Sequence, residues 1–528
     1  MQGKKVSQSK LFFRFSLEDA VPADDFYREL EKAVDLSWIG PKVAHCYSDI
    51  GRPSIDPEVI VKIELIGYLE GITSERALMR QIADRLSPRR YIGYDIDEAV
   101  PDHSTLSKAR DLLGRDLFQE VFAYSVRLCQ AAGMVGGLRV SGDRTLVKAN
   151  ASLDSLEPRL VPYSPQGFLE RLYAQNTAPG PEPAPVIALS EQPDYPTLLP
   201  VAADTALPPI SPATPPTPVD FASGQVGDAG SSPATAKPLL GNATHVSASD
   251  PEATLVARPD VKPMLAYSAE PWSDARAGVI THADAFTAAT PEHTTATRAL
   301  IQQRGEFGLA LATMAYDKGC GQGRLYRQWR EFGIVAFVPH QKYVNSTSGP
   351  GLYELKDFAY DAQRNVYVCP GGKELKYSCL KARWPTAGHV WQAKPSDREA
   401  CASRAKCTKA SRYRNLKVGI YQPYYETMDA RLAGPGARLA AIARRAGPEA
   451  KFAEGKQWQG LDRAKYRGPH KFKGQVLLTA AAQNIKKYVK WIWRKTKGAG
   501  HARTIAPALL LAAIRRLRQT LTARTIRL

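Results

Sequence analysis

This 528-residue chain predicts a mixed α/β core, entered through a helical N-terminal part and split by two insertions. Three observations support that reading. Apolar residues recur at helical spacing between residues 53 and 133, strand-like patterning takes over soon after, and proline and positive charge are concentrated in separate blocks. Hydrophobic residues make up 44% of the chain, ordinary for a folded soluble protein, and the length allows two or three domains with cores of their own.

Residues 1–133 read as an all-α domain. In "PSIDPEVIVKIELIGYLEGI", Val59, Ile60, Ile63, Ile66 and Leu69 repeat close to every 3.6 residues. "TSERALMRQIADRL" opens on Ser74 as N-cap and puts Ala77, Leu78, Ile82 and Leu86 on one face. "PDHSTLSKARDLLG" repeats the arrangement, with Ser104 as cap and Gly114 as stop. Arg80, Arg85, Arg89, Arg90, Lys108 and Arg110 suit either a helix-turn-helix DNA reader or the solvated side of packing helices. The stretch from Leu86 to Ser104 is longer than the tight turn of that motif.

The pattern changes at "GGLRVSGDRTLVKANAS", where Leu138, Val140, Leu146 and Val147 flank Asp143 in a strand-like run. Residues 134–175 thus begin the core. Residues 176–238 hold 15 of the 39 prolines and few aromatics, the composition of a disordered insertion. The core resumes over 239–317. "MLAYSA" and "AGVITHADAFTA" read as strands, Thr295–Arg304 as a helix, and "GLALATMAYDKGCG" as a short buried strand ending at Asp317. Residues 318–440 form a β-leaning, aromatic insertion containing Cys369, Cys379, Cys401 and Cys407. Helix returns near Ala437–Gln459, so 441–485 completes the core, and 486–528 is a basic tail led by the helix "GQVLLTAAAQNIKKYVKWIWRK".

The net charge is +19, and its placement says more than its size. From Lys451 onward there are 19 Lys and Arg against two acids, Glu454 and Asp462, which accounts for nearly all of the excess. Interleaved Trp458, Tyr466, Trp491 and Trp493 point to an ordered surface for a polyanion rather than a tail kept for solubility. The start lacks the apolar core of a secretory signal, and the longest late apolar run, Ile505–Ile514, is too short to span a bilayer. Seven cysteines do not make a disulfide framework in a chain of this size. A cytoplasmic, nucleoid-associated protein with no membrane partner is expected.

Asp143, Asp317 and either Glu449 or Glu454 stand out by position. Singly, each reads as a turn, loop or solvated helix residue. Together they suit a two-metal site, in which carboxylates from several elements hold Mg²⁺ ions that activate a water or a 3′-hydroxyl.

The stretches "GRPSIDPEVIVKIELIGYLEGITSERAL", "VPDHSTLSKAR", "DRTLVKANASLDS", "GNATHVSASDPEATL", "MAYDKGCG" and "RAGPEAKFAEGK" follow one another in that order. In them the chain resembles the DDE transposases of bacterial insertion sequences, from about residue 10 to 490 apart from the proline-rich block. The resemblance implies an RNase H-like mixed sheet flanked by helices, with Asp143, Asp317 and Glu449 as catalytic acids binding Mg²⁺ or Mn²⁺. Its third-acid pattern of Arg, three residues, Glu, six residues and Lys fits Arg445, Glu449 and Lys456, and not Glu454. On an α-helix Glu449, Phe452 and Lys456 share a face. Arg445, Lys456, Arg463, Lys465, Arg467, Lys486 and Lys487 are the expected DNA contacts, and the expected partners are double-stranded DNA and a second copy of the chain. Departures are Ala453 for the usual Gly, Cys320 for the aromatic after "DKG" and Ile442 for a Tyr. A catalytically inactive DNA-binding relative and a nuclease without strand transfer stay open as alternatives. The four cysteines of the insertion suit a zinc site or ordinary reduced thiols, since neither pair has the short spacing of a zinc ribbon.

Overall fold

The computed structural model describes residues 15–159, 241–340, 351–381, 387–407 and 414–498, apart from positions 49, 51–53, 243, 259–260 and 400. The proline-rich block and the end of the basic tail lie outside the described residues. The chain divides into two compact units, residues 1–157 with 246–528, and residues 158–245. Every element named below belongs to the first.

The helices of the N-terminal part include α1 (Phe26–Ala33), α2 (Pro57–Glu70), α3 (Glu75–Asp84), α4 (Leu86–Tyr91) and α5 (His103–Ala131). Asp56 caps α2 through the Glu58 N–H, Pro57 sits at its first turn, and Gly71 ends it in the left-handed region at φ 72°. Ser74 caps α3 through the Ala77 N–H, as its spacing predicts. At α5 the cap is Asp102 instead of Ser104. Gly114 (φ 70°, ψ 179°) breaks the helix locally without ending it, because the apolar face resumes at Leu117, Phe118 and Val121.

The basic side chains of this part turn mostly inward to partners. Arg89 is buried and donates to the carbonyls of Ala83, Asp95, Ile96 and Glu98. Arg85 pairs with Glu70, and Arg90 with Glu18 and Glu31. Arg110 pairs with the buried Glu64 and with Glu75, and lies 4.4 Å from the centre of the Tyr466 ring. Arg80 and Lys108 remain exposed.

The central sheet contains β1 (Arg139–Gly142), β2 (Thr145–Lys148), β3 (Thr254–Arg258), β4 (Val261–Asp274), β5 (Ile280–Thr287), β6 (Thr313–Ala315) and β7 (Val335–Phe337). Its order through the middle is β5-β4-β1-β6-β7. β4 runs antiparallel to both neighbours (Gly142↔Trp272, Ala269↔Ala285), while β1, β6 and β7 are mutually parallel (Val140↔Met314↔Ala336). α6 (Ala296–Phe307) crosses from β5 to β6, and α7 (Gly323–Glu331) from β6 to β7. A helical N-terminal region followed by this mixed sheet and its helices is consistent with an RNase H-like α/β core.

The β-leaning region is a separate antiparallel sheet of β8 (Ala359–Asp361), β9 (Val366–Val368), β10 (Glu374–Lys381), β11 (Gly388–Ala393) and β12 (Asn415–Gly419). Its own apolar cluster is small: Phe358, Leu375, Trp391, Leu416 and Val418. The chain then returns through α8 (Gln422–Ala433), α9 (Pro435–Arg444), a π-helical turn at Arg445–Glu449, α10 (Ala450–Trp458) and α11 (Pro469–Gly498).

α11 is a core helix, packed on α2, α5 and β5 and buried almost all round from Val476 to Val489. Its polar residues face inward with partners. The Asn484 amide takes the Ile280 N–H at 2.8 Å and donates to the Ile280 carbonyl at 2.8 Å and to Ser125 at 3.2 Å. Among the described residues no helix is long and apolar enough to cross a membrane.

Removing one member of a buried ion pair leaves the other charge uncompensated, at a cost of about 3–5 kcal/mol. Arg110→Met should therefore lower the unfolding free energy by about that amount, read from the urea midpoint at constant m. A change below about 1 kcal/mol would show that Glu64 finds another partner or takes a proton.

Candidate active site

The sheet positions the first two acids. Asp143 occupies the break between β1 and β2, where both strands pair with the single long strand β4. The preceding Gly142 lies flat on the buried Trp272 indole; a Cβ there would stand 2.4 Å from the ring. Asp317 lies just beyond β6, the parallel neighbour of β1, and its carboxylate caps the short turn Lys318–Cys320 through the Lys318 N–H at 2.6 Å. Strand ends on adjacent parallel strands thus bring two carboxylates from distant sequence to one edge.

The third acid comes from the kink between α9 and α10. Gly447 (φ −92°, ψ −108°) and Pro448 interrupt regular helix there, and both are buried. A Cβ on Gly447 would meet Ser273 Oγ at 2.2 Å and Ser141 Oγ at 3.2 Å, so only glycine lets this turn settle onto β1 and β4. Ser141 Oγ ties the same turn down by donating to the Ala443 carbonyl at 3.2 Å.

Arg444, the last residue of α9, lies among the three acids. Its guanidinium is 3.2 Å from Glu449, 3.8 Å from Asp143 and 4.0 Å from Asp317. Its Nε is buried with no hydrogen-bond partner among the described residues. Burial pushes the Asp143 carboxyl up to about 6, against the pull of Arg444 and of the Arg144 N–H, with Asp317 and Glu449 adding to the rise. Among the described residues no group of three His, Cys, Asp or Glu is arranged to hold a metal ion as it stands. The donor chemistry nevertheless fits one: three hard oxygen donors from three elements surround a point taken by a cationic side chain.

Behind Asp143 is a buried polar layer. Arg144 pairs with the fully buried Glu270 and donates to the Thr290 carbonyl at 2.6 Å and to Thr295 Oγ1. Glu270 also accepts from the Trp272 indole N–H at 3.0 Å. Glu292 packs against the Lys318–Cys320 turn, where a Cβ on Gly319 would meet its Oε2 at 2.1 Å. Burial raises its pKa, with Asp317 and Asp143 among the contributors and Arg144 opposing them.

The remaining sequence-predicted residues are placed as follows. Arg445 is exposed, and it is Arg444 that pairs with Glu449. Lys456 donates to the Leu146 carbonyl of β2 at 3.0 Å, and burial lowers its pKa. Phe452 is buried beneath the helix. Glu454 stands with Lys451 at 2.8 Å and Lys486 at 3.6 Å, apart from the acid group. Arg463 and Arg467 are exposed beside Asn150. Lys465 is mostly buried, with its ammonium 4.1 Å from the Tyr68 ring centre. Lys487 donates to the Ala277 carbonyl and, at 2.8 Å, to the Gly278 carbonyl, and burial lowers its pKa to about 8. Lys456, Lys465 and Lys487 are thus partly buried, each ammonium beside a carbonyl or aromatic partner. Sequence reasoning missed Arg444, Glu292 and the Glu270–Arg144 pair. Only the "DR" dipeptide and the doubled Arg444–Arg445 offered any signal.

Asp143 keeps its proton to about pH 6 when folded, but only to the ordinary carboxylate value of 3.8 when unfolded. The folded chain holds more protons between those values, so stability falls as pH rises through that window. In metal-free urea unfolding, the parent should lose about 2 kcal/mol more than Asp143→Asn between pH 4.5 and 7. Equal declines in the two proteins would show that Asp143 is solvated.

Residues 15–112 match the family described as "Transposase domain (DUF772)", and residues 368–489 match the family described as "Transposase DDE domain". No curated protein matches the chain.

Proposed function

We propose that this chain, an insertion-sequence DDE transposase by its two family matches, cuts DNA at the ends of its element and joins the freed 3′ ends to target DNA. Asp143, Asp317 and Glu449 are the acids of this reading, holding Mg²⁺ or Mn²⁺. The observation that supports it is their convergence, from a strand break, a strand end and a helix kink, on the single guanidinium of Arg444. Nothing in folding alone calls for three partly exposed carboxylates at one point, since like charges oppose one another's ionisation. When bound, the metal supplies Lewis-acid activation of the attacking oxygen and charge relief at the leaving one.

The chain's own residues do the rest. Arg444 balances the acids before metal binds, and its fork of donors then suits a non-bridging oxygen of the scissile phosphate. Arg445, exposed on the next residue, contacts the flanking backbone. Arg144 and Glu270 hold the β1–β2 break from behind, so that Asp143 keeps its direction. The DNA-facing charges are those left exposed: Arg463, Arg467, Lys490, Arg494 and Lys495. Lys486, partly exposed beside Glu454, sits at the margin of that set. Joining two element ends calls for two active sites, hence a dimer on DNA.

Asp143→Asn, Asp317→Asn and Glu449→Gln should each cut a labelled element-end duplex at least about 100-fold more slowly, while gel-shift affinity stays near parental. Glu454→Gln should cut at close to the parental rate. If Glu449→Gln still cuts and Glu454→Gln does not, the third acid is misassigned. A parent that cuts but never joins ends would leave the nuclease alternative standing.

Exposed and internal lysines of α11 should separate cleanly. Replacing Lys490, Arg494 and Lys495 by Gln should flatten the slope of log affinity against log salt by about 2–3. Lys487→Gln should leave that slope alone and lower thermal stability instead, because it strands two carbonyls. A salt slope altered by Lys487→Gln would place that ammonium on DNA.

A further inference from the structure

Three of the four cysteines of the antiparallel sheet gather at one corner. Cys369 follows β9 and opens a tight turn to β10, in which its N–H donates to the Lys373 carbonyl at 2.9 Å and its carbonyl accepts from Gly372 at 2.9 Å. Gly372 takes φ 74° there, and the Lys373 N–H points at Cys369 Sγ at 3.3 Å. A Cβ on Gly371 would lie 3.7 Å from Cys369 Sγ and 3.9 Å from Cys401 Sγ, so both sulfurs crowd one point. Cys407 ends the helical turn Arg404–Cys407 that follows Cys401, with the Arg404 N–H donating to the Cys401 carbonyl at 3.2 Å.

Neighbouring backbone holds the segment that ends at Cys407. Tyr353 N donates to the Lys406 carbonyl at 2.7 Å, and Arg414 donates to the carbonyls of Cys407 and Tyr353 at 2.8 and 3.0 Å. Cys379 is elsewhere. It is exposed, five residues beyond Glu374 along β10, or roughly 16 Å up the strand from the Cys369 turn.

We infer that Cys369, Cys401 and Cys407 bind a zinc ion that staples this sheet, and that Cys379 takes no part. The domain needs such a staple. Among the described residues five buried side chains, with a few partly buried ones around them, make a small core for five strands, the situation in which a crosslink or a metal adds most. Three thiols on two segments that the sheet already brings together are the ligands zinc favours. Each thiol gives its proton to solvent as its Zn–S bond forms, so three protons leave per ion. Among the described residues the sulfurs do not enclose an ion as they stand. The fourth position is open to water or to Asp397, whose carboxylate lies 4.0 Å from the Lys373 ammonium beside the same turn.

The test uses the full chain, loaded with Zn²⁺ and desalted, with zinc measured by elemental analysis. The parent and Cys379→Ser should each retain about one zinc per chain, and Cys369→Ser, Cys401→Ser and Cys407→Ser should each bind at least about 10-fold more weakly. Cobalt titration of the parent covers a variant that does not fold, because intense thiolate-to-cobalt absorption arises only from several coordinated sulfurs. Loss of zinc in Cys379→Ser equal to that in the other three would overturn the assignment. So would a parent that retains no zinc and shows no such absorption. A denatured, chelator-treated chain with fewer than its seven cysteines titratable as thiols would overturn it in favour of a disulfide.

Discussion

Three carboxylates cannot share a partly desolvated site without a positive charge among them, and the arrangement of the core follows from that constraint. At the spacing seen around Arg444, two unscreened negative charges oppose each other by several kcal/mol at protein-like dielectric, of order 332/(ε·r). Burial adds to this at Asp143, whose carboxyl is held high despite its cationic neighbour. The guanidinium makes the group tolerable in the metal-free chain. On the proposed function, a bound metal ion would relieve the same repulsion.

Meeting that demand takes close backbone approach at two places. Gly142 lets β1 lie against the Trp272 indole, which itself packs on Tyr316 with ring centres 5.1 Å apart. Gly447 lets the helix kink settle on Ser141 and Ser273. Neither glycine has a positive φ, so it is space and not backbone freedom that requires them. The buried Arg144–Glu270 pair beneath Asp143 is costly to desolvate, and its carbonyl, hydroxyl and indole partners are what make it tolerable.

The same economy of charge governs α11. A sequence window rich in Lys and polar amides suggests a solvated nucleic-acid face, yet Gln475, Thr479, Gln483 and Asn484 are all buried and hydrogen-bonded. Asn484 satisfies both backbone groups of Ile280 on β5, and Lys487 covers the carbonyls of the turn before it. Positive charge reaches solvent mainly at the helix's two ends, at Lys471 and from Lys490 on, with Lys486 partly exposed between them.

The sequence by itself determined many of the elements and where Asp143 and Asp317 lie on them. Periodicity and capping set α2 and α3, alternation set β5, and strand-end positions singled out Asp143 and Asp317, because those signals are local and survive without knowledge of the partners. What tertiary structure decided is which neighbour each side chain meets. On a regular α-helix Arg445 lies four residues before Glu449 and shares its face, but the π turn over Arg445–Glu449 widens the helix by about one residue, so Arg444 meets Glu449 instead. At that turn Gly447 lies against Ser273, where a Cβ would stand 2.2 Å from its Oγ, and the two residues are too far apart in the chain for any local pattern to reveal. Lys456, Lys465 and Lys487 turn inward for the same reason: the carbonyls and ring that hold them come from β2, the β4–β5 turn and α2. Sequence fixes how much charge there is, and only the packing of distant segments fixes which of it faces water.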